Sequence, residues 1–125
     1  MNVLLVAIGA AVGGVARYLI GGWLASLLGA GFPWGTVFVN VTGSFVIGVV
    51  LVLVQGGALP AGARPFVAVG ILGGYTTFST YSYETLELIA DGNYGVAVIN
   101  VFVQLVLGLI GVYLGVVLGR LIGGV

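Results

Sequence analysis

The chain contains no cysteine and no histidine, and only six of its 125 residues, three basic and three acidic, carry a formal charge. Without cysteine there is no disulfide and no thiolate metal site, and without histidine the usual general base is missing. The three basic residues form no cluster, which argues against nucleic acid as a partner. No Ser-His-Asp set, mid-span carboxylate pair or phosphate-binding loop is present. The sequence therefore predicts a protein that is not an enzyme.

Hydrophobic residues make up 61% of the chain, and charged residues only 5%. A soluble domain is normally about 25% charged, and three arginines with three acids cannot cover the surface of a soluble domain of this size. The composition predicts an integral membrane protein with lipid as its main surroundings.

Four segments are long and apolar enough to cross a bilayer, which takes about 20 residues. The sequence predicts one all-α transmembrane domain over 1–125, with helices at about 3–28, 36–54, 66–89 and 94–122. So few arginines lie in the loops that either orientation is allowed. Because four helices leave little room for a pore through their own centre, we expect a homo-oligomer.

The third predicted span contains a stretch, Gly73-Gly74-Tyr75-Thr76-Thr77-Phe78-Ser79-Thr80-Tyr81-Ser82, that is a poor helix former. Glycine costs about 1 kcal/mol relative to alanine in a helix, and serine and threonine offer the backbone competing hydrogen bonds. A broken helix in lipid survives only where protein or a cavity satisfies the freed backbone groups. We therefore predict that the third helix is broken mid-membrane and that this stretch is the functional site.

Glycines spaced four apart predict where helices pack closely, because small residues let backbones approach in lipid. We expect this role for most of the 24 glycines, with Gly73 and Gly74 excepted because of the break. The rows include Gly9 with Gly13, Gly70 with Gly74, and Gly111, Gly115, Gly119 and Gly123.

Polar residues at membrane depth fall on the predicted helices in sets. Two interpretations stay open: the sets line a narrow wet path, or they bond within their own helix and hold helices together. For Asn40 we favour function, because a buried amide needs partners. The sets are Thr36, Asn40 and Ser44; Asn100 and Gln104; and Thr76, Thr77, Ser79, Thr80, Ser82 and Glu84.

Three charged residues allow several roles. Arg17, inside the first span, could snorkel, pair with an acid or bond carbonyls at a helix end; we favour a structural role. Glu84 and Glu87 lie one turn apart near the end of the third span, where they could also serve as interfacial anchors.

Three motifs occur in order along the chain: Gly13-Gly14-Val15-Ala16-Arg17-Tyr18, Gly35-Thr36-Val37-Phe38-Val39-Asn40-Val41-Thr42-Gly43-Ser44-Phe45, and Gly73 to Tyr81. Together they resemble the Fluc (CrcB) family of fluoride channels over nearly the whole chain. The resemblance implies an antiparallel, dual-topology homodimer of four-helix subunits, with two fluoride pores at the interface. It also implies passive export of fluoride through the cell inner (plasma) membrane, which the chain crosses several times.

The resemblance also implies roles for single residues. Asn40 would donate a hydrogen bond to fluoride, and Phe78 and Tyr81 would face the ion with ring edges. The carbonyls of Gly73 and Thr76 would bind a structural Na⁺ at the dimer centre. The implied polar track comprises Thr77, Ser79, Thr80, Ser82, Asn100 and Gln104, with Glu84 at the vestibule and Arg17 as the matching arginine of the first motif.

The chain departs from the usual family pattern at Tyr81, where a second phenylalanine is common. The added hydroxyl could donate to an anion or obstruct it.

Two other functions stay open. A small proton-coupled drug or cation antiporter needs a buried acid, which the first two spans lack. A structural membrane subunit would need only the glycine rows, and it leaves the interruption in the third span unexplained.

Overall fold

A computed structural model describes residues 1–125 and contains helices but no strand. Three of the helices are long and apolar enough to cross a membrane, by length and composition. The chain is therefore all-α, as its composition predicts. Its elements are α1 (Asn2–Leu28), α2 (Trp34–Gln55), a π-helical segment (Arg64–Leu72), α3 (Gly73–Tyr75), α4 (Phe78–Ala90) and α5 (Tyr94–Gly123).

Glycine and proline mark the boundaries of these helices. Gly29, directly after α1, has φ of 80°, and Gly92, two residues after α4, has φ of 79°. Residues with a side chain rarely adopt this left-handed region, so glycine ends a helix at low cost. Pro65 occupies the first turn of the π-helical segment, where its missing N–H has no helical partner to lose.

Glycines bring the helix backbones into contact at two interfaces. Between α2 and α5, a Cβ on Gly48 would lie 2.5 Å from the Val112 carbonyl oxygen, and a Cβ on Gly115 would collide with the Phe45 carbonyl. Between α1 and the π-helical segment, a Cβ on Gly13 would collide with the Ile71 carbonyl. Any side chain at these positions would push two helices apart.

One glycine of the interrupted stretch also packs closely against a neighbouring helix. A Cβ on Gly74 would lie 2.7 Å from the Ala10 carbonyl oxygen, as the pairing of Gly74 with Gly70 predicts, while a role of Gly74 beyond packing stays a prediction. Gly74 packs there because α3 continues the helical path of Gly70 along α1. Gly73 differs, because the nearest atom to its added Cβ, the Ala68 carbonyl oxygen, is 3.9 Å away.

Two extended residues lie between α3 and α4. Thr76 has φ −83° and ψ 158°, and Thr77 has φ −152° and ψ 111°. In an unbroken helix the Thr77 N–H would donate to the Gly73 carbonyl, four residues earlier. It donates instead to Asn40 Oδ1 on α2, at 2.8 Å. This interruption lies in the middle of the stretch predicted as the functional site.

Candidate functional site

Thr77 forms the N-terminal cap of α4. Its hydroxyl oxygen accepts the Thr80 N–H at 3.2 Å and donates to Thr80 Oγ1 at 2.9 Å. A threonine at this position satisfies one of the free N–H groups of a helix start. The capping explains why α4 begins immediately after the interruption.

Arg17 bonds the backbone on the other side of the interruption. Its Nε donates to the Gly74 carbonyl at 3.0 Å, a carbonyl that would accept from the Phe78 N–H in an unbroken helix. Of the three roles that the sequence left open for Arg17, the structure shows the bond to a helix-end carbonyl. The charged donor compensates for the helical bond that is lost there.

Asn40 links the interruption to α5. Its Nδ2 donates to the Thr77 carbonyl at 3.1 Å and to Gln104 Oε1 at 2.7 Å, while its Oδ1 accepts from the Thr77 N–H. Both hydrogens of this amide are therefore engaged inside one subunit.

The hydrogen bonds continue from Gln104 to α4. Gln104 Nε2 donates to Asn100 Oδ1 at 2.8 Å, and Asn100 Nδ2 donates to Thr85 Oγ1 at 2.9 Å. The Thr85 hydroxyl donates in turn to the Tyr81 carbonyl at 2.7 Å. We call Asn40, Gln104, Asn100 and Thr85 the amide chain. No buried side-chain polar atom of the subunit lacks a hydrogen-bond partner.

Two open grooves meet at Asn40, Ser44 and Phe78. The Thr76 groove, of about 320 Å³, is completed by Thr76, Thr77, Gly73, Gly43, Leu72 and Ile47. The Tyr81 groove, of about 410 Å³, is completed by Tyr81, Gln104, Gly108, Leu105, Leu109 and Val112. No charged residue lines either groove, so their hydrogen-bond donors are hydroxyls and amides.

A third cavity, of about 260 Å³, lies on another side of α4. Thr77, Thr80 and Glu84 line it together with Arg17 and Thr36, and the Thr36 hydroxyl donates to Glu84 Oε1. We call it the Glu84 cavity. Of the residues that the sequence assigned to one track, Gln104 lines the Tyr81 groove, Thr80 lines this cavity, and Thr77 borders both this cavity and the Thr76 groove.

The two predicted ring positions lie side by side. The Phe78 and Tyr81 centroids are 5.7 Å apart, with the ring planes inclined by 53°. The Phe78 side chain is 79% exposed on the single subunit. The Tyr81 hydroxyl donates to the Val101 carbonyl on α5 at 3.1 Å, so the added hydroxyl of this chain is held by the backbone of its own subunit.

Three predicted site residues lie apart from the two grooves and from the Glu84 cavity. Asn100 has no exposed surface, and its side-chain hydrogen bonds join it to Thr85 and Gln104 of the amide chain. Ser79 and Ser82 are exposed, and the Ser82 hydroxyl donates to the Phe78 carbonyl of its own helix. Sequence reasoning did not single out Thr85; its spacing of four residues from Tyr81 was the only signal for it.

Comparisons with known proteins agree with the resemblance. The sequence profile of the family described as CrcB-like protein, Camphor Resistance (CrcB), matches residues 4–116. A protein from one strain of Thermus thermophilus, named "Fluoride-specific ion channel FluC", is 53% identical over 121 residues, which cover 97% of this chain and 95% of that protein.

Two relatives with the same name have lower sequence identity to this chain. The one from Magnetococcus marinus is 44% identical over 123 residues, covering 98% of this chain and 100% of its own, and the one from Pelobacter propionicus is 42% identical over 120 residues, covering 95% and 93%. The family is one of ion channels and not of enzymes. The match over residues 4–116, together with these identities, places the chain in the CrcB family.

Proposed function

We propose that this chain forms a passive, fluoride-selective channel that exports fluoride across the cell inner (plasma) membrane and so lowers its cytoplasmic concentration. One observation carries the proposal. Asn40, Ser44 and Phe78 lie where two open, uncharged grooves meet on the surface of the subunit. The names of the relatives point to the same ion.

The open grooves favour a second copy of the chain as their cover. Polar side chains inside a membrane usually face protein or a water-filled cavity and not lipid. The polar residues Asn40, Ser44 and Thr76 line grooves that a single subunit leaves open, although their hydrogen bonds are made within the subunit. A two-fold dimer closes both sets of grooves at once, which yields two pores at the interface. The weak arginine bias allows the two copies to insert in opposite orientations, as an antiparallel dual-topology dimer requires.

Neutral donors suit fluoride, which is small and holds its water strongly. A selective pore must replace that water, yet must bind the ion weakly enough to release it. The Asn40 amide, the threonine and serine hydroxyls and the electropositive edges of Phe78 and Tyr81 meet both needs. The nearest cation, Arg17, is engaged with the Gly74 carbonyl and lines the Glu84 cavity instead.

The polar track of the proposal runs along α4. Thr77, which borders both the Thr76 groove and the Glu84 cavity, connects them, and Thr80 leads on to Glu84 at the vestibule. Ser79 and Ser82 are exposed on the subunit and would enter the track only at the contact with the second copy. Gln104 lines the Tyr81 groove, and Asn100 supports it from within.

A structural Na⁺ fits the carbonyls of Gly73 and Thr76. Both residues line the Thr76 groove, and the Thr77 N–H, the helical partner of the Gly73 carbonyl, is bonded to Asn40. Carbonyls freed at an unwound helix coordinate Na⁺ in membrane transporters. The bound cation would supply positive charge that lowers the cost of a nearby anion. Gly73 adds no side chain that would block the approach.

Efflux from liposomes that contain only this chain tests the proposal. Vesicles loaded with potassium fluoride, given a potassium ionophore, should release fluoride to an electrode, while matched potassium chloride vesicles should release little. No fluoride efflux, or equal efflux of chloride, would overturn the proposal. Proton-driven uptake of a lipophilic cation would favour the antiporter instead, and a dimer that conducts alone would exclude a purely structural subunit.

A separate measurement tests the proposed sodium site. Replacing Na⁺ by N-methyl-D-glucamine on both sides should lower both the flux and the melting temperature of the purified dimer. If neither changes after prolonged dialysis against the sodium-free buffer, the sodium assignment fails and the channel function stands.

A further inference from the structure

Asn40 has no free donor in the subunit. A side-chain amide carries two N–H hydrogens, and the two acceptors within reach of Asn40 Nδ2 are the Thr77 carbonyl at 3.1 Å and Gln104 Oε1 at 2.7 Å. An anion that takes a hydrogen bond from Asn40 must therefore displace one of these acceptors.

The amide chain fixes which end of Gln104 faces Asn40. The single hydrogen of the Thr85 hydroxyl is donated to the Tyr81 carbonyl, so Thr85 Oγ1 can only accept from Asn100 Nδ2. Asn100 then presents Oδ1, which accepts from Gln104 Nε2. Gln104 is left with its carbonyl oxygen towards Asn40, and turning this amide over would break two bonds.

The bond to Gln104 is the one that is open to exchange. Thr77 holds Asn40 by two bonds, one to each end of the amide, whereas Gln104 holds it by one. Gln104 also lines the Tyr81 groove beside Asn40 and Phe78, while Thr77 does not. An ion in the Tyr81 groove therefore meets the N–H that Gln104 occupies.

We infer that Gln104 is a positioning residue that competes with the transported anion for the Asn40 N–H. Its oxygen holds the donor when no ion is present and takes it back as the ion leaves. A donor that always has a partner never becomes a buried, unpaired N–H, a state that would favour prolonged retention of the ion. Gln104 thereby speeds release, which conduction requires. This inference rests on the proposed fluoride function.

The concentration dependence of fluoride flux tests the inference. Gln104→Met keeps the length of the side chain and removes the competing oxygen. The fluoride concentration that gives half-maximal flux should fall about tenfold, since that is the order of the cost of an unpaired buried donor, and the maximal flux should fall as well. A purely structural loss would lower the flux without that fall in concentration.

Two further variants control for damage to the amide chain. Thr85→Val removes the far end of the chain. Thr77 still holds Asn40 by two bonds, so Asn40 still presents Nδ2 to Gln104 and keeps Gln104 Oε1 towards it. This variant should lower the melting temperature and keep the half-saturating concentration.

Gln104→Met leaves Asn100 Oδ1 without a donor. The double variant Asn100→Leu with Gln104→Met removes that oxygen as well, so it replaces the single variant in the test if the single variant fails to fold. The inference would be overturned if a folded variant without Gln104 had the same half-saturating fluoride concentration as the unmodified chain. It would also be overturned if Thr85→Val lowered that concentration as much as Gln104→Met does.

A measurement on the unmodified chain needs no variant. Gln55 and Gln104 are the two glutamines of the chain, and Gln55 is exposed at the end of α2. With glutamine labelled by ¹³C, saturating fluoride should shift the side-chain carbonyl resonance of Gln104 and leave that of Gln55 in place, and chloride should shift neither. An unmoved Gln104 signal in a chain that conducts fluoride would refute the competition alone; absence of fluoride flux in the unmodified chain would refute the proposed function.

Discussion

Asn40 and Thr77 exchange two hydrogen bonds of opposite direction: the Thr77 N–H donates to Asn40 Oδ1 at 2.8 Å, and Asn40 Nδ2 donates to the Thr77 carbonyl at 3.1 Å. The pair replaces, with one side chain of α2, backbone bonds that the interrupted helix gives up. In the membrane interior no water is available to form hydrogen bonds with such backbone groups. The position of the interruption is therefore set by α2 as much as by the residues around Thr77.

Asn40→Asp should abolish fluoride flux. A carboxylate still accepts a hydrogen bond from the Thr77 N–H. Its second oxygen, however, replaces the amide nitrogen that donates to the Thr77 carbonyl and to Gln104 Oε1, and its negative charge repels the anion. Each lost donor should also cost about 1–3 kcal/mol of stability. Liposome efflux and the thermal unfolding of the purified protein measure the two effects.

Asn93→Asp is the matched control for the added charge. Asn93 is exposed at the N-terminal end of α5, outside the grooves, and aspartate caps a helix about as well as asparagine. This variant should conduct like the unmodified chain. If Asn40→Asp did so too, the donor role of Asn40 would be refuted.

Phe78→Ile should stop fluoride conduction while the proposed dimer stays folded. The ring is 79% exposed on the subunit, so its loss removes little packing within the subunit, yet isoleucine has no electropositive ring edge to face an anion. Phe102→Ile is a suitable control, because Phe102 is also exposed and lines neither groove. Size-exclusion chromatography and fluoride efflux, measured together, check the prediction; unchanged flux in Phe78→Ile would rule out the ring-edge contact.

Much of the fold follows from residue types that act locally. Long apolar runs predict helices in lipid, and glycines four apart on α5 predict the face that meets α2, because both properties are set by the helical repeat. Gly74 is a residue whose surroundings local reasoning does not predict. It belongs both to a glycine pair and to the interrupted stretch, and only the position of α1 beside it shows that it packs closely against another helix.

The candidate site was predictable in its members but not in their partners. The helical repeat places Asn100 and Gln104 on one face of α5, yet it cannot show that Gln104 meets Asn40, 64 residues away, or that Asn100 meets Thr85. These contacts depend on how α2, α4 and α5 are placed together. The sequence left open whether these residues line a path or hold helices together. The structure shows that Asn40, Gln104 and Asn100 bond to one another, and the path stays a proposal.

Arg17→Met should destabilise the protein by about 1.5–3 kcal/mol, the range for a hydrogen bond to a charged group. Methionine keeps much of the apolar stem and loses the Nε donor of the Gly74 carbonyl. The control is Arg120→Met, because Arg120 is exposed in the last turn of α5, where a cation contributes about 0.3–1 kcal/mol through the helix dipole. Equal melting temperatures for the two variants would show that the Arg17 bond adds no particular stability.

Gly115→Ala should weaken the contact between α2 and α5. The new Cβ would collide with the Phe45 carbonyl and lie 3.2 Å from the Val49 nitrogen, and neither backbone atom can move without shifting α2. Overpacking of this kind costs about 1–3 kcal/mol. Gly95→Ala, on the same helix with no atom within 4 Å of its added Cβ, should be neutral or stabilise by up to about 1 kcal/mol through helix propensity. Thermal unfolding of both variants in one detergent distinguishes the steric effect of alanine at the helix contact from its general effect on helix propensity. If Gly115→Ala were as stable as Gly95→Ala, α2 and α5 would be free to move apart at this position.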